Sequence, residues 1–260
     1  MRCAITAGLA LTVAMLAAPA TAARMDDGEA LRFSQAAIGR TVGGYSFIAS
    51  DGAELTFEQL RGRPIVLSLV YTSCYHVCSG LTLRLRETVK VAHEALGPGS
   101  FSVVTVGFDT PNDTPERMRM YARERGAVQP GWHFASADAG TIARLVQDVG
   151  FSYYASPKGF DHITQTTIID AAGRVVLQVY GEDFAPPLVV EPLKKLVWGR
   201  NLDRSTFEGL VNTVKLFCTI YDPTSGRYRF DYSLIVNIAS GVLALGIAAA
   251  GILAALRNVR

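Results

Sequence analysis

The run Pro64-Ile65-Val66-Leu67-Ser68-Leu69-Val70 constrains this chain more than any other stretch, because an apolar, β-branched strand without polar alternation has to be covered on both faces. It leads into Tyr71-Thr72-Ser73-Cys74-Tyr75-His76-Val77-Cys78-Ser79-Gly80, and then into Leu81 to Leu96, where Leu81, Leu85, Val89 and Ala92 recur at helical spacing. Two thiols are thereby set where a central strand ends and a helix begins. Unpaired backbone N–H groups and the helix dipole at such a junction lower a thiol's pKa. With the first turn helical by Cys74, the i, i+4 spacing puts both sulfurs on one side of it, able to converge on one soft metal ion or to be oxidised to a disulfide. A CxxxC pair alone is as readily a structural disulfide or two buried thiols. Its place at the carboxyl end of a buried strand weighs toward function, since open α/β sheets put their sites there.

The rest of the chain supplies partners for that strand. Tyr45-Ser46-Phe47-Ile48 and Ala53-Glu54-Leu55 around Ser50-Asp51-Gly52 predict a hairpin, and Thr56 to Gly62 a short helical turn stopped by its glycine. Phe101 to Phe108 is a second buried strand. It runs into Asp109-Thr110-Pro111-Asn112-Asp113-Thr114-Pro115-Glu116, where Thr114 caps a helix that has Pro115 at its first position and continues to about Arg125. Ala139 to Gly150 is amphipathic, with Ile142, Leu145, Val146 and Val149 on its apolar side. Thr164 to Asp170 and Arg174 to Tyr180, joined by Ala171-Ala172-Gly173, form an antiparallel hairpin, and Val189 to Val197 a closing helix. This order reads as an α/β fold, a mixed sheet covered by helices on both faces. Residues 24 to 42 read as a polar lead-in.

The two ends place the domain. Met1 to Ala23 has Arg2, an apolar run from Ala4 to Ala18 and small residues before Arg24, the pattern of a secretory signal cleaved after Ala22 or Ala23. Ser233 to Leu256 carries no charge; as a helix it would be about 36 Å long, enough to span the hydrocarbon core with some tilt. Arg257 and Arg260 beyond it fit a cytoplasmic end, and Tyr228, Phe230 and Tyr232 before it fit the interface belt. The expectation is a single-pass protein of the inner (cytoplasmic) membrane whose soluble domain faces the periplasm. In that compartment an exposed dithiol persists only if metal or a reductant protects it. A formal net charge of +2 without a basic cluster argues against nucleic acid as a partner.

Among the four histidines, His162 in Phe160-Asp161-His162-Ile163-Thr164 stands just before a hairpin strand, so its loop would project over the edge that holds the thiols if that strand pairs near theirs. Two thiolates and an imidazole make a trigonal set suited to Cu(I), whereas zinc would want a fourth ligand. A solvated loop histidine is the plain alternative. Cys74-Tyr75-His76-Val77-Cys78 behind Tyr71-Thr72-Ser73, Phe108 to Glu116, and Asp161-His162 before Ile168-Ile169-Asp170-Ala171-Ala172-Gly173 together resemble the Sco/SenC family over roughly residues 43 to 198. That family comprises membrane-tethered, thioredoxin-fold copper chaperones that help assemble the CuA centre of cytochrome c oxidase. The resemblance implies a thioredoxin-like domain over 43–198, a pre-membrane segment over 199–232 and a transmembrane helix over 233–256. It implies Cys74, Cys78 and His162 as copper ligands, a copper-receiving oxidase subunit as partner, and a role near the site for Asp109. Two features depart from the pattern: Ser79 stands where the family usually has proline, and many members anchor at the N-terminus. Lys215 to Pro223 resembles the pre-membrane segment of a sub-group with a C-terminal span.

Other residues read more plainly. His76 is expected on the exposed loop, with assistance to copper transfer as the alternative, His93 at the surface, Trp132-His133-Phe134 as strand packing with the polar residue facing out, Met118 and Met120 as packing or surface, and Cys218 as a buried thiol that could instead cross-link or accept copper. Beside metal delivery, the same Cys74 and Cys78 dithiol could serve a thiol-disulfide oxidoreductase that reduces the receiving subunit's cysteines. A thiol peroxidase is a third reading, weakened because no arginine stands beside Cys74 in the sequence.

Overall fold

The computed structural model describes residues 26–74, 77–157, 159–200, 219–222, 227–230, 236–237 and 239–246. Helix α1 (Asp27–Gln35) precedes the hairpin β1 (Ser46–Ala49) and β2 (Glu54–Thr56), and the short α2 (Phe57–Leu60) follows. Then come β3 (Ile65–Val70), the long α3 (Val77–Leu96), β4 (Ser102–Gly107), α4 (Pro115–Glu124), β5 (Trp132–Ser136) and α5 (Ala139–Val149). A second hairpin, β6 (Tyr153–Ser156) and β7 (Gly159–His162), leads into β8 (Gln165–Ile169), β9 (Val175–Tyr180) and α6 (Pro187–Arg200); a small hairpin, β10 (Thr219–Asp222) and β11 (Arg227–Phe230), lies beyond.

Seven strands form one sheet in the order β2-β1-β5-β4-β3-β8-β9. At its centre β3 and β4 are parallel, from Ile65 opposite Ser102 to Val70 opposite Gly107, and every residue of both is buried. Parallel neighbours need a long crossover, and α3 provides it, burying Leu81, Leu85, Val89 and Ala92. Fully burying one such aliphatic side chain contributes about 1.5–3 kcal/mol, so the unbroken apolar runs suffice to place this pair at the middle. Two of the polar residues there are satisfied across strands: Ser68 and Thr105 share a 2.8 Å hydrogen bond, and Trp132 Nε1–H donates to Thr105 Oγ1 at 2.9 Å. Strand β8 runs antiparallel to β3, with Ser68 opposite Thr166. The fold is the expected thioredoxin-like α/β arrangement of a mixed sheet and flanking helices.

Three parts differ from the sequence reading. The lead-in contains α1, whose start is fixed by a capping box: Asp26 Oδ1 accepts from the Glu29 N–H at 2.7 Å while Glu29 Oε2 accepts from the Asp26 N–H. Only Ala30 and Ser34 of this helix are buried, too sparse an apolar stripe to show as periodicity. What holds it is polar, since Ser34 Oγ donates to Gln165 Oε1 at 2.8 Å and Gln165 Nε2–H donates to the Val149 carbonyl at 3.1 Å. Trp132-His133-Phe134, expected as strand packing, belongs to β5, which the expected order of elements lacked and which inserts between α4 and α5 as an inner strand. His162 lies not on a loop but at the end of β7, in a two-stranded sheet with β6.

His93, expected at the surface, packs its ring 4.9 Å from that of Phe101, with Nε2 buried and unbonded. The helical period alone does not reveal that Phe101 folds back over this turn. The leader Met1 to Ala23, His76 and Cys218 lie outside the described residues, as does most of the run Ser233 to Leu256; among the described residues no helix is long and apolar enough to cross a membrane.

Two outcomes follow from this packing. Gly150 ends α5 in the left-handed region (φ +64°), and a Cβ there would stand 2.7 Å from the Phe33 carbonyl and 2.8 Å from Ser34 Cα, both backbone. Gly150→Ala is therefore expected to destabilise by about 2 kcal/mol or more in denaturant unfolding, whereas Gly52→Ala, also at positive φ but with open space around it, should cost less. Burial lowers the pKa of His93 from 6.5. The unfolded chain then binds more protons below that pH, so stability present at neutrality is lost as pH falls through 6.5 toward the folded-state value. His93→Phe should flatten that slope in pH-dependent unfolding. An unchanged slope would assign the loss to other groups, among them His133, which burial also lowers.

Candidate functional site

The carboxyl end of β3 carries the site. After Val70 the chain turns, with the Cys74 N–H donating to the Tyr71 carbonyl at 3.1 Å, and α3 begins at Val77. Cys74 thus precedes the helix, while Cys78 lies in its first turn and donates its backbone N–H to Cys74 Sγ at 3.3 Å. No disulfide joins them. The Cys78 carbonyl accepts two bonds of 2.8 Å, from Thr82 Oγ1 and Tyr121 Oη.

His162 arrives from β7. Its Nδ1 is 3.1 Å from the Ile163 carbonyl, which can only accept, so in the neutral ring Nδ1 carries the proton and Nε2 presents the lone pair. Nε2 stands 3.8 Å from Cys78 Sγ. The imidazole is held by the rings of Phe151, Phe108 and Tyr71, with centroids 5.6, 5.7 and 6.0 Å away. The structure therefore brings together the three residues singled out in the sequence. Among the described residues no three His, Cys, Asp or Glu side chains already form a closed metal cage.

The electrostatics correct one expectation. The Cys78 thiol is pushed well above the ordinary thiol range, first by its hydrogen bond with the Cys74 side chain and then by burial. The helix end does not lower it because Cys78 is only 1% exposed and its own N–H is spent on the other sulfur. The Tyr71 hydroxyl is pushed up to about 12, by burial and then by its hydrogen bond with Cys74.

The loop after β4 fixes the thiol turn. The side chain of Asp113, not that of Asp109, makes the connection: Asp113 Oδ1 accepts from the Thr72 N–H (2.8 Å) and hydroxyl (2.7 Å), and Oδ2 from the Asp109 N–H (2.9 Å). Asp109 offers this clamp its backbone, while its own carboxylate accepts from Asn112 Nδ2 at 2.9 Å. Burial, the largest influence, raises the Asp113 pKa against those three donors. Gly107 makes room for the clamp, since a Cβ there would collide with the Asp113 side chain. Asp113, Tyr71 and Tyr121 were not singled out in the sequence; the run Asp109 to Glu116 marked the segment without telling its two aspartates apart.

Cys74 and His162 open into a cleft of about 680 Å³, walled by Tyr71, Tyr154 and Phe160 on the hairpin side and by Ala30 and Leu31 of α1. Cys78 is not among the residues that line it. His76 and Cys218, considered as accessory residues, lie outside the described residues, while Met118 is buried and Met120 exposed, as packing and surface residues are.

The fold is shared with solved structures. A protein of Aquifex aeolicus described as a candidate electron transfer protein matches with a TM-score of 0.56 at 26% identity, over 64% of this chain and 98% of its own. ScoI of Bradyrhizobium japonicum, determined with copper bound, matches at 0.52 and 20% identity over 60% and 99%. BsSco, a member of the Sco family of cytochrome c oxidase assembly proteins in which a disulfide switch was identified, matches at 0.54 and 16% over 61% and 94%. At identities of 20% and below the likeness is one of fold. No curated protein matches the chain. The family model described as SCO1/SenC matches residues 34–197, a segment that contains both cysteines, the Asp113 clamp and the histidine-bearing hairpin, and the chain belongs to that family.

Proposed function

We propose that the chain is a membrane-tethered periplasmic metallochaperone that takes copper as cargo on Cys74, Cys78 and His162 and delivers it to the CuA site of cytochrome c oxidase. The observation that carries this reading is the 3.8 Å between Cys78 Sγ and a histidine nitrogen whose lone pair is exposed by its tautomer. Ligand bonds of about 2.3 Å to sulfur and about 2.0 Å to nitrogen, about 120° apart, require a separation of about 3.7 Å, close to that found. The donors suit a soft, low-coordinate ion, and copper-bound ScoI of the same fold supports the choice.

The residues of this chain divide the work. His162 is oriented by Ile163 and the aromatic rings, so its nitrogen needs no rearrangement. Cys74 borders the cleft and is the sulfur an incoming donor or acceptor meets. Cys78 anchors the site from below. Its proton, held tightly in the empty dithiol, has to leave before the sulfur can act as a thiolate ligand, so loading should release protons and weaken as pH falls. The uncharged run Ser233 to Leu256 and the leader Met1 to Ala23 support the tether and the export.

A second reading is favoured by the Cys78 N–H bonded to Cys74 Sγ, which makes the cleft-side sulfur the poised member of a dithiol. In that reading the chain reduces a disulfide of the copper-receiving subunit, forming a mixed disulfide through Cys74 that Cys78 resolves.

Anaerobic Cu(I) titration of the reduced full chain should give one copper per chain. Cys74→Ser, Cys78→Ser and His162→Ala should each weaken it by about a hundredfold or more, beyond the cost usual for outer partners of a metal site. His162→Ala should leave dithiol exchange intact. Absence of copper binding by the wild type would remove the chaperone reading and leave the reductase. In cells, the mature N-terminus should lie at Ala23 or Arg24 by mass spectrometry, and alkaline carbonate should leave the chain in the membrane fraction; recovery of a soluble chain would refute the tether.

A further inference from the structure

Ser79 occupies the position where a proline would stiffen the turn after the second cysteine, and the structure shows what stands in its place. Arg125, the residue that closes α4, turns its guanidinium back toward the first turn of α3. Nη2–H and Nε–H donate to Ser79 Oγ at 2.8 and 3.2 Å. The same guanidinium lies 3.7 Å over the centre of the Tyr121 ring, and its Nη1–H donates to the Tyr121 carbonyl at 3.4 Å. Its side chain is 13% exposed, so these bonds form largely away from water, where a planar fork of donors is most effective. Each group it holds leads to one cysteine. Ser79 Oγ reaches the Cys74 carbonyl through a weak 3.5 Å bond, and Tyr121 Oη donates to the Cys78 carbonyl at 2.8 Å.

The geometry points to Arg125 as a positioning residue of the thiol site: through Ser79 and Tyr121 it fixes the turn bearing Cys74 and the helical turn bearing Cys78, and so sets how the two sulfurs stand toward each other and toward His162. This rests on the dithiol site read above but not on copper as its cargo. Two bonds from one guanidinium to Ser79 Oγ stand in for a covalent ring. A proline at Ser79 could accept neither, yet would restrain the first helical turn by itself, where its missing N–H is tolerated.

The test uses the full chain and two readouts: the equilibrium of the dithiol with glutathione, which needs no metal, and Cu(I) affinity. Arg125→Lys keeps the charge and loses the fork, and Ser79→Ala removes only the acceptor. Both should move the thiol equilibrium about threefold or more in the same direction and lower Cu(I) affinity about tenfold or more. Adding Ser79→Pro to Arg125→Ala should return both toward the wild-type values, a recovery that a general loss of stability would not show. Full wild-type behaviour of Arg125→Lys would mean that charge alone matters and would overturn the assignment, as would an unmoved thiol equilibrium in Ser79→Ala. Should Arg125→Ala fold poorly by circular dichroism, the Ser79→Ala result decides. If no form of the protein binds copper while the thiol equilibrium shifts as stated, the positioning role stands and the chaperone reading falls.

Discussion

The antiparallel pairing of β8 with β3 is the interaction on which the site depends. Because β8 runs against β3 with Thr166 opposite Ser68, the residues that enter β8 lie across from those that leave β3. His162 enters and Cys74 leaves, so residues remote in sequence are delivered to the same sheet edge without a long loop. The parallel neighbour β4 does the complementary thing on the other side, running in register with β3 to Gly107 and bringing the loop with Asp113 to the same end. One strand, sandwiched between an antiparallel and a parallel partner, thus receives a candidate ligand from one flank and a support from the other. A register slip in either pairing would turn alternate side chains to the opposite face and disperse the cluster.

Support at this edge is given by buried polar groups rather than by apolar packing alone. Asp113 joins two loops through three donors, two of them backbone N–H groups that would otherwise be left unmet at the strand ends. Such a carboxylate costs desolvation, the cause of its raised pKa, and it ties the start of the thiol turn at Thr72 to the backbone of Asp109. The Ser34, Gln165 and Val149 chain does similar work for α1, holding one wall of the cleft with little apolar burial. In both places geometry is specified by donors and acceptors that fit only one arrangement.

That distinction explains what could be read from the amino acids. The β3 and β4 strands, the capped α4 with Thr114 and Pro115, the amphipathic α5 and the β8–β9 hairpin each announce themselves by apolar period or turn chemistry, and all stand where expected. The three ligand candidates were legible from residue type, position after a buried strand and resemblance. Helix α1 was missed because a capping box and one buried serine hold it, neither of which makes a stripe. The β6–β7 hairpin was missed because its two strands are half-buried except at Ala155, which is exposed, and lack an alternation of buried and exposed residues. Arg125 and Tyr121 could not be connected with the cysteines from the sequence, since only the packing of α4 against α3 relates them. The reversed sense of the Cys78 shift was hidden for the same reason: helix position is local, but competition between two sulfurs depends on their folded separation.

The asymmetry of the two cysteines relative to the cleft has a kinetic meaning. A bulky reagent or another protein's thiol entering past Tyr154 and Leu31 would meet Cys74, which lines the cleft, while Cys78, buried and absent from that lining, faces the His162 imidazole among the described residues. In the exchange proposed for this centre the topology would impose a direction, with a front door and a back wall, so that the sequence of bond making and breaking would be decided by which atom can be approached before intrinsic nucleophilicity has any say.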